Sequence, residues 1–273
     1  MIEQQVIIFT DMDGTLLDHN TYSFEPAIPV LEKLHAKKIP VLPTTSKTFV
    51  ELLELRNTLD LTSSPFIVEN GAAVYIPHGF FAKKPTGTVW QDGFWCKSFT
   101  SNKQYWLKLL EKVKADFGGE FTHFSEMSIE AICDATGLNE ADAGRAANRQ
   151  YGEPVLWLGE AHRKDAFLKA VKDRGAYPLE GGRFIHICGD CNKGNALTWV
   201  VNEYVRQCEN PVTSIALGDG NNDIAMLEAA DIAVRITSPS HPPPTLQKQE
   251  YVYTSTHQGP EGWAEVLNQL LFQ

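Results

Sequence analysis

The stretch VIIFTDMDGTLL, residues 6–17, decides how this chain is read. Val6 to Thr10 suit a buried β-strand, yet they run straight into two acids, Asp11 and Asp13. Like charges that close repel, and burying either one unpaired is costly. Something positive, or something reacting, is expected beside them.

Outward from this strand, Ala27, Val30, Leu31 and Leu34 recur at helical spacing, and IPVLPTTS follows as a short apolar strand ending in hydroxyls. KTFVELLELRNTL reads as a helix and PFIVENGA as a strand, so strands and helices alternate as in a parallel sheet with crossover helices. The rhythm stops near Lys83. It resumes with the helix KGNALTWVVNEYV, the strand SIALGDG, the helix NDIAMLEAA and the strand DIAVRI. Between lie helices such as KQYWLKLLEKVKADF, a helix N-capped by Asn139, and two strands around a turn at Gly181-Gly182. SPSHPPPTLQ reads as a proline-rich surface loop. The expected architecture is α/β: a doubly wound, Rossmann-like parallel sheet core over residues 1–83 and 189–273, with an inserted α+β module at 84–188.

The totals bound the function. A net charge of −10 argues against a nucleic-acid or anionic-membrane partner, because phosphate backbones are bound by dense positive charge. No apolar run approaches bilayer length, and no secretory signal pattern opens the chain. Cys96, Cys133, Cys188, Cys191 and Cys208 form an odd, sparse set that suits a reducing cytoplasm, so a cytoplasmic location is expected. Cys188 and Cys191 have the spacing of half a zinc site, but a second pair is missing and ordinary thiols are the favoured reading. Nothing in the chain signals an oligomeric state.

Three strand ends in the core carry polar punctuation: TDMDGT, PTTSK and LGDGNND. Carboxyl ends of neighbouring parallel strands lie one strand spacing apart, so Asp11, Asp13, Asp219 and Asp223 are expected to converge. A hard divalent cation relieves such crowding, and an all-oxygen set favours Mg²⁺. A calcium loop fails by register. Counted from Asp11, its sixth and twelfth positions hold Leu16 and Tyr22; counted from Asp219, they hold Ile224 and Ala230. GxxxxGK[ST] is absent, which disfavours a P-loop enzyme. Thr45 and Ser46 also suit plain N-caps for the helix after Lys47.

At these residues the chain resembles the haloacid dehalogenase superfamily of phosphatases. Asp11-Met12-Asp13-Gly14-Thr15 matches the first motif, Thr45 the second, Lys193 the third and Gly218 to Asp223 the fourth. The resemblance implies that Asp11 is a nucleophile and Asp13 a general acid and base. It further implies Mg²⁺ held by Asp11, the Asp13 carbonyl and Asp219, with Asp223 orienting from behind and Thr45 and Lys193 binding phosphate. TTSKT, ENGAAVY, ATGL and GGRFIHICG are most similar to the mannosyl-3-phosphoglycerate phosphatases, and Ser46-Lys47 stands where the wider branch has Gly-Arg.

That implies a small anionic phosphosugar substrate and an α/β cap at 84–188 that sets specificity. Glucosyl-3-phosphoglycerate, sucrose phosphate and phosphotransfer between sugars are the alternatives. Ser46, Lys47, Arg149, Arg183 and His186 are candidates for meeting the substrate. For Arg149, Arg183 and His186, a surface ion pair or a core-edge histidine is an equal reading.

Overall fold

A computed structural model describes residues 5–180, 183–208 and 210–273. The chain opens with β1 (Gln5–Thr10), α1 (Ile28–Ala36), β2 (Val41–Pro43), α2 (Phe49–Thr58), β3 (Phe66–Val68) and β4 (Ala73–Pro77), then a hairpin of β5 (Val89–Gln91) and β6 (Phe94–Ser98). Next come α3 (Lys103–Phe117), β7 (Phe121–His123), α4 (Ile129–Thr136), α5 (Glu140–Ala147), β8 (Glu153–Trp157), α6 (Ala161–Lys172), β9 (Leu179–Glu180) and β10 (Ile185–Ile187). The last part alternates α7 (Lys193–Cys208), β11 (Val212–Gly218), α8 (Ile224–Ala229), β12 (Ile232–Thr237), β13 (Val252–Gln258) and α9 (Gly259–Leu271).

The apolar runs read from the sequence are buried as central parallel strands require. Ile7, Ile8 and Phe9 of β1 and Ile215, Ala216 and Leu217 of β11 are fully buried. They pair in a parallel sheet of order β13-β12-β11-β1-β2, and a bridge from Thr44 to Ile67 sets β3 alongside β2. Strand order reverses between β1 and β11, the topological switch point at which open α/β sheets bind ligands. Asp11 follows β1 and Asp219 follows β11. The mixed α/β architecture is the one expected.

The chain divides into two compact units. The first holds the described residues of Met1–Ser46, Asp60–Lys97 and Asn192–Gln273; the second holds those of Lys47–Leu59 and Ser98–Cys191. Besides ending three residues later, at Cys191, these limits depart from 84–188 at two places, for local reasons. The β5–β6 hairpin extends a sheet of order β3-β4-β6-β5, which ties residues 84–97 to the first unit. In the second, α2 is bound to α5 through Thr48 Oγ1, which donates to the Arg145 carbonyl at 3.0 Å, and through Arg145 with Glu54 at 3.3 Å. An antiparallel sheet, β7-β8-β10-β9, anchors the second unit's core of Leu110, Val113, Val155, Phe167, Val171 and Ile187. The turn expected at Gly181-Gly182 lies outside the described residues. No described helix is long and apolar enough to cross a membrane, and none of the five cysteines is in a disulfide.

Candidate active site

The end of β1 is fixed from several sides. The Asp11 amide donates to the Leu217 carbonyl at 2.9 Å, so the β1–β11 ladder continues into the loop. Thr10 Oγ1 donates to the Asp11 carbonyl at 2.8 Å and accepts from Trp263 Nε1 at 3.0 Å. Gly14 then turns the chain at φ +79°, and a Cβ there would stand 2.7 Å from Asp219 Oδ2. Only glycine allows both the left-handed backbone and this approach. Thr15 Oγ1 donates to Asp219 Oδ1 at 3.3 Å.

Lys193, the first residue of α7, crosses this pocket fully buried. Its ammonium lies 2.5 Å from Asp11 Oδ1 and 2.6 Å from Asp223 Oδ1. A lysine at a helix N-terminus opposes the helix dipole; two carboxylates compensate it here. The other Asp223 oxygen accepts from the amides of Asp219 and Gly220 at 3.1 and 3.0 Å, which folds the fourth-motif loop onto itself.

Anions outnumber the cation. Burial, then the Asp223 charge, push the Asp11 carboxyl up to about 8 against the pull of Lys193, and Asp13 adds to the rise. Burial and Asp223 likewise raise Asp219, opposed by His241 and Thr15. Burial disfavours the Lys193 charge, but Asp11 and Asp223 outweigh it and hold the ammonium above its ordinary value. Oxygen atoms of Asp11, Asp219 and Asp223 lie within 4.8 Å of one another. One ammonium among three carboxylates leaves an excess of negative charge that a divalent cation with oxygen preference fits. Both Asp223 oxygens are already engaged by Lys193 and by backbone amides, whereas Asp11 and Asp219 are raised and in need of positive charge.

The remaining sequence candidates separate. Thr45 is buried after β2, its amide on the Ile67 carbonyl at 3.0 Å and its carbonyl accepting from Asn70 at 2.9 Å. The helix cap weighed for Thr45 and Ser46 belongs instead to Thr48, whose Oγ1 accepts from the Glu51 amide at 3.3 Å while its own amide donates to Glu51 Oε2 at 2.7 Å. Ser46 and Lys47 are half-buried, at the end of the first unit and the start of the second. In the second unit, burial and the nearby Arg149 lower His186 to about 4, so those two are neighbours. Arg183 is not brought to them by any contact seen here: its Nη1 donates to the Ala135 carbonyl at the end of α4, at 2.6 Å. The sequence reading missed Thr15 and His241, whose Nε2 lies 3.4 Å from Asp219 Oδ2. Thr15 sits inside the quoted motif, so its spacing gave a signal; His241 had none beyond its proline-rich loop.

Comparison with known proteins supplies the family. A family described as haloacid dehalogenase-like hydrolase matches residues 8–85 and 172–260. A glucosyl-3-phosphoglycerate/mannosyl-3-phosphoglycerate phosphatase from Methanococcoides burtonii is 33% identical over 266 residues, 97% of either chain. Among solved structures, a phosphatase of the haloalkanoate superfamily from Bacteroides thetaiotaomicron aligns with TM-score 0.66 and 18% identity over 97% of this chain and 95% of its own. The sucrose-phosphatase of Synechocystis, solved with sucrose and phosphate, gives 0.59 and 14% over 97% and 98%. Those two likenesses carry the fold.

Proposed function

The chain belongs to the haloacid dehalogenase-like hydrolases, and from that premise we propose that it is a Mg²⁺-dependent phosphatase of glycosyl-3-phosphoglycerates, with mannosyl-3-phosphoglycerate its foremost substrate. The observation that carries this is Lys193, fully buried between Asp11 and Asp223 with Asp219 in reach. A buried ammonium holding one oxygen of a strand-end aspartate leaves the other to attack, and it steadies charge that develops on a phosphoryl group.

Asp11 attacks phosphorus in line, and the bond to the leaving sugar-glycerate oxygen breaks. Asp13 gives that alkoxide a proton. Water then attacks the aspartyl-phosphate, Asp13 takes its proton back, and inorganic phosphate leaves. Lys193 and Thr45 bind the phosphoryl oxygens, and Asp223 keeps Lys193 aimed through their 2.6 Å contact. Mg²⁺ would be held by Asp11, the Asp13 carbonyl and Asp219, and would supply charge neutralisation for the attack on phosphate. Ser46, Lys47, Arg149, Arg183 and His186 are the candidate contacts to the leaving group.

The test is phosphate release from mannosyl-3-phosphoglycerate, glucosyl-3-phosphoglycerate, sucrose phosphate and hexose phosphates. The first two are expected to turn over fastest, and Asp11→Asn to lose at least about a thousandfold. Turnover of another ester with none of the glycosyl-phosphoglycerates would remove the substrate assignment. Appearance of an isomeric phosphosugar in place of inorganic phosphate would make the protein a phosphotransferase.

A further inference from the structure

His241 lies outside every motif, 22 positions beyond Asp219 in the proline-rich loop after β12. That loop is stiff. Pro239 and Pro242 to Pro244 fix their φ angles, and a residue before proline is confined to extended backbone. Ser238 Oγ accepts from the Ser240 amide at 3.4 Å, and Arg235 Nη1 donates to the Pro244 carbonyl at 3.4 Å, so both flanks of His241 are tied down.

The ring's polarity follows from its partners. Nδ1 lies 3.2 Å from the Pro242 carbonyl, which can only accept, so Nδ1 carries a proton. Nε2 then faces Asp219 Oδ2 at 3.4 Å. Nε2 and Oδ2 therefore lie close enough for one cation to touch both. A histidine that ligates a metal shows this same pattern, its second ring nitrogen held by a carbonyl that fixes the tautomer. Asp219 is meanwhile oriented through its other oxygen by Thr15.

We propose that His241 Nε2 is a nitrogen ligand at the Asp219 side of the cation site, which adds affinity for cations that accept imidazole, Mn²⁺ or Co²⁺, while Mg²⁺ still binds through the carboxylates. The proposal rests on the cation site described under the phosphatase reading and adds selectivity to it. Oxygen-only sets suit Mg²⁺, whereas an imidazole shifts affinity toward the later divalent metals.

Mn²⁺ is the probe. Electron spin-echo spectra of the wild-type protein with Mn²⁺ are expected to show nitrogen modulation that His241→Ala abolishes. By calorimetry, His241→Ala is expected to weaken Mn²⁺ at least about tenfold, in the range seen when groups around a metal are removed. Mg²⁺ weakens less than about threefold, since it takes oxygen in place of imidazole. Absence of nitrogen modulation in the wild type overturns the proposal. So does unchanged or tighter Mn²⁺ binding by His241→Ala, which identifies the contact as an imidazolium–Asp219 ion pair. Asp219→Asn, losing both cations, marks a broken site, and thermal melts exclude unfolding as the cause. A wild type that shows nitrogen modulation but releases no phosphate from any phosphosugar refutes the phosphatase reading alone. Phosphate release without the modulation refutes only the His241 ligand.

Discussion

Each compact unit buries a carboxylate group, and the two are treated in opposite ways. In the second unit Glu153 is fully buried, but it accepts from the Ser125 amide at 2.6 Å, lies 2.8 Å from His123 Nδ1 and 3.3 Å from Lys103. Burial raises its carboxyl, yet those donors win and hold it below the ordinary range. In the first unit Asp11 and Asp219 are raised, because burial is joined by the Asp223 charge, which neither Lys193 at Asp11 nor His241 and Thr15 at Asp219 offset. Donors that outweigh burial make a charge structural; donors that fall short leave a site in need of a cation or a phosphate. The same chemistry of hydrogen bonding and desolvation gives both outcomes.

Removing the central charge of each cluster tests that contrast most forcefully. Lys193→Ala leaves Asp11 and Asp223 buried with no ammonium, and a broken buried pair costs about 3–5 kcal/mol. Turnover is expected to disappear, and Mg²⁺ to restore part of the stability, since ligands that bind only the folded state stabilise it. Glu153→Gln in the second unit is expected to cost about 1–2 kcal/mol, with no response to Mg²⁺ beyond that of the wild type. Denaturant melts of both variants with and without Mg²⁺ measure this. Equal Mg²⁺ responses would erase the distinction between the clusters.

A smaller effect comes from disturbing the acidic pocket without touching a charge. Gly71 has φ +93°, and a Cβ there would meet the Asn192 carbonyl oxygen at 2.1 Å and the Lys193 amide at 2.7 Å. Backbone cannot swing aside as a side-chain tip does, so Gly71→Ala must move the start of α7. We expect about 2 kcal/mol of destabilisation from strain and displacement, with kcat reduced more than KM is raised. A matched substitution at Gly137, also at positive φ but with open space around its Cβ, carries the φ penalty alone and leaves kinetics unchanged. If Gly71→Ala behaves like Gly137→Ala, the packing of this turn against Asn192 does not position Lys193.

How far the sequence could be read follows the same division. The parallel core was legible because buried strands are contiguous apolar runs and their catalytic-looking acids follow directly in the chain, as β1 runs into Asp11 and β11 into Asp219. Lys193 was reached through the family resemblance, which assigned it to phosphate, and its bridge between Asp11 and Asp223 came from the structure. Local signals were present but one was misread and another went unread. Among three hydroxyls, Glu51 three residues on marks Thr48 as the cap, and α4 is bracketed by Ser128 at its start and a left-handed Gly137 at its end. Other features had no local signal. That the β5–β6 hairpin pairs onto β4, that α2 joins α5 and that His241 returns to Asp219 are long-range contacts, invisible to periodicity and capping rules.

The smallest effect separates two histidines within the second unit. His123 Nδ1 lies 2.8 Å from Glu153 Oε1. Among the described residues no acid is placed against His186: burial and then the Arg149 charge lower it to about 4 from an ordinary 6.5. In the unfolded chain this imidazole takes a proton near its ordinary value, while the folded one refuses it. His186 therefore adds no pH dependence above about 6.5, and stability falls as pH drops from there toward 4. The side chain is half-buried, so water screens part of the effect and about 1 kcal/mol of loss is expected by pH 5. Carboxylates elsewhere also titrate at the lower end of this window, which makes the difference between variants the informative quantity. Denaturant midpoints at pH 7, 6 and 5 are expected to fall more steeply for the wild type than for His186→Gln, whose neutral amide has no proton to refuse. Parallel slopes for the two proteins would mean that His186 is as free to charge as a surface histidine, and that Arg149 does not hold it neutral.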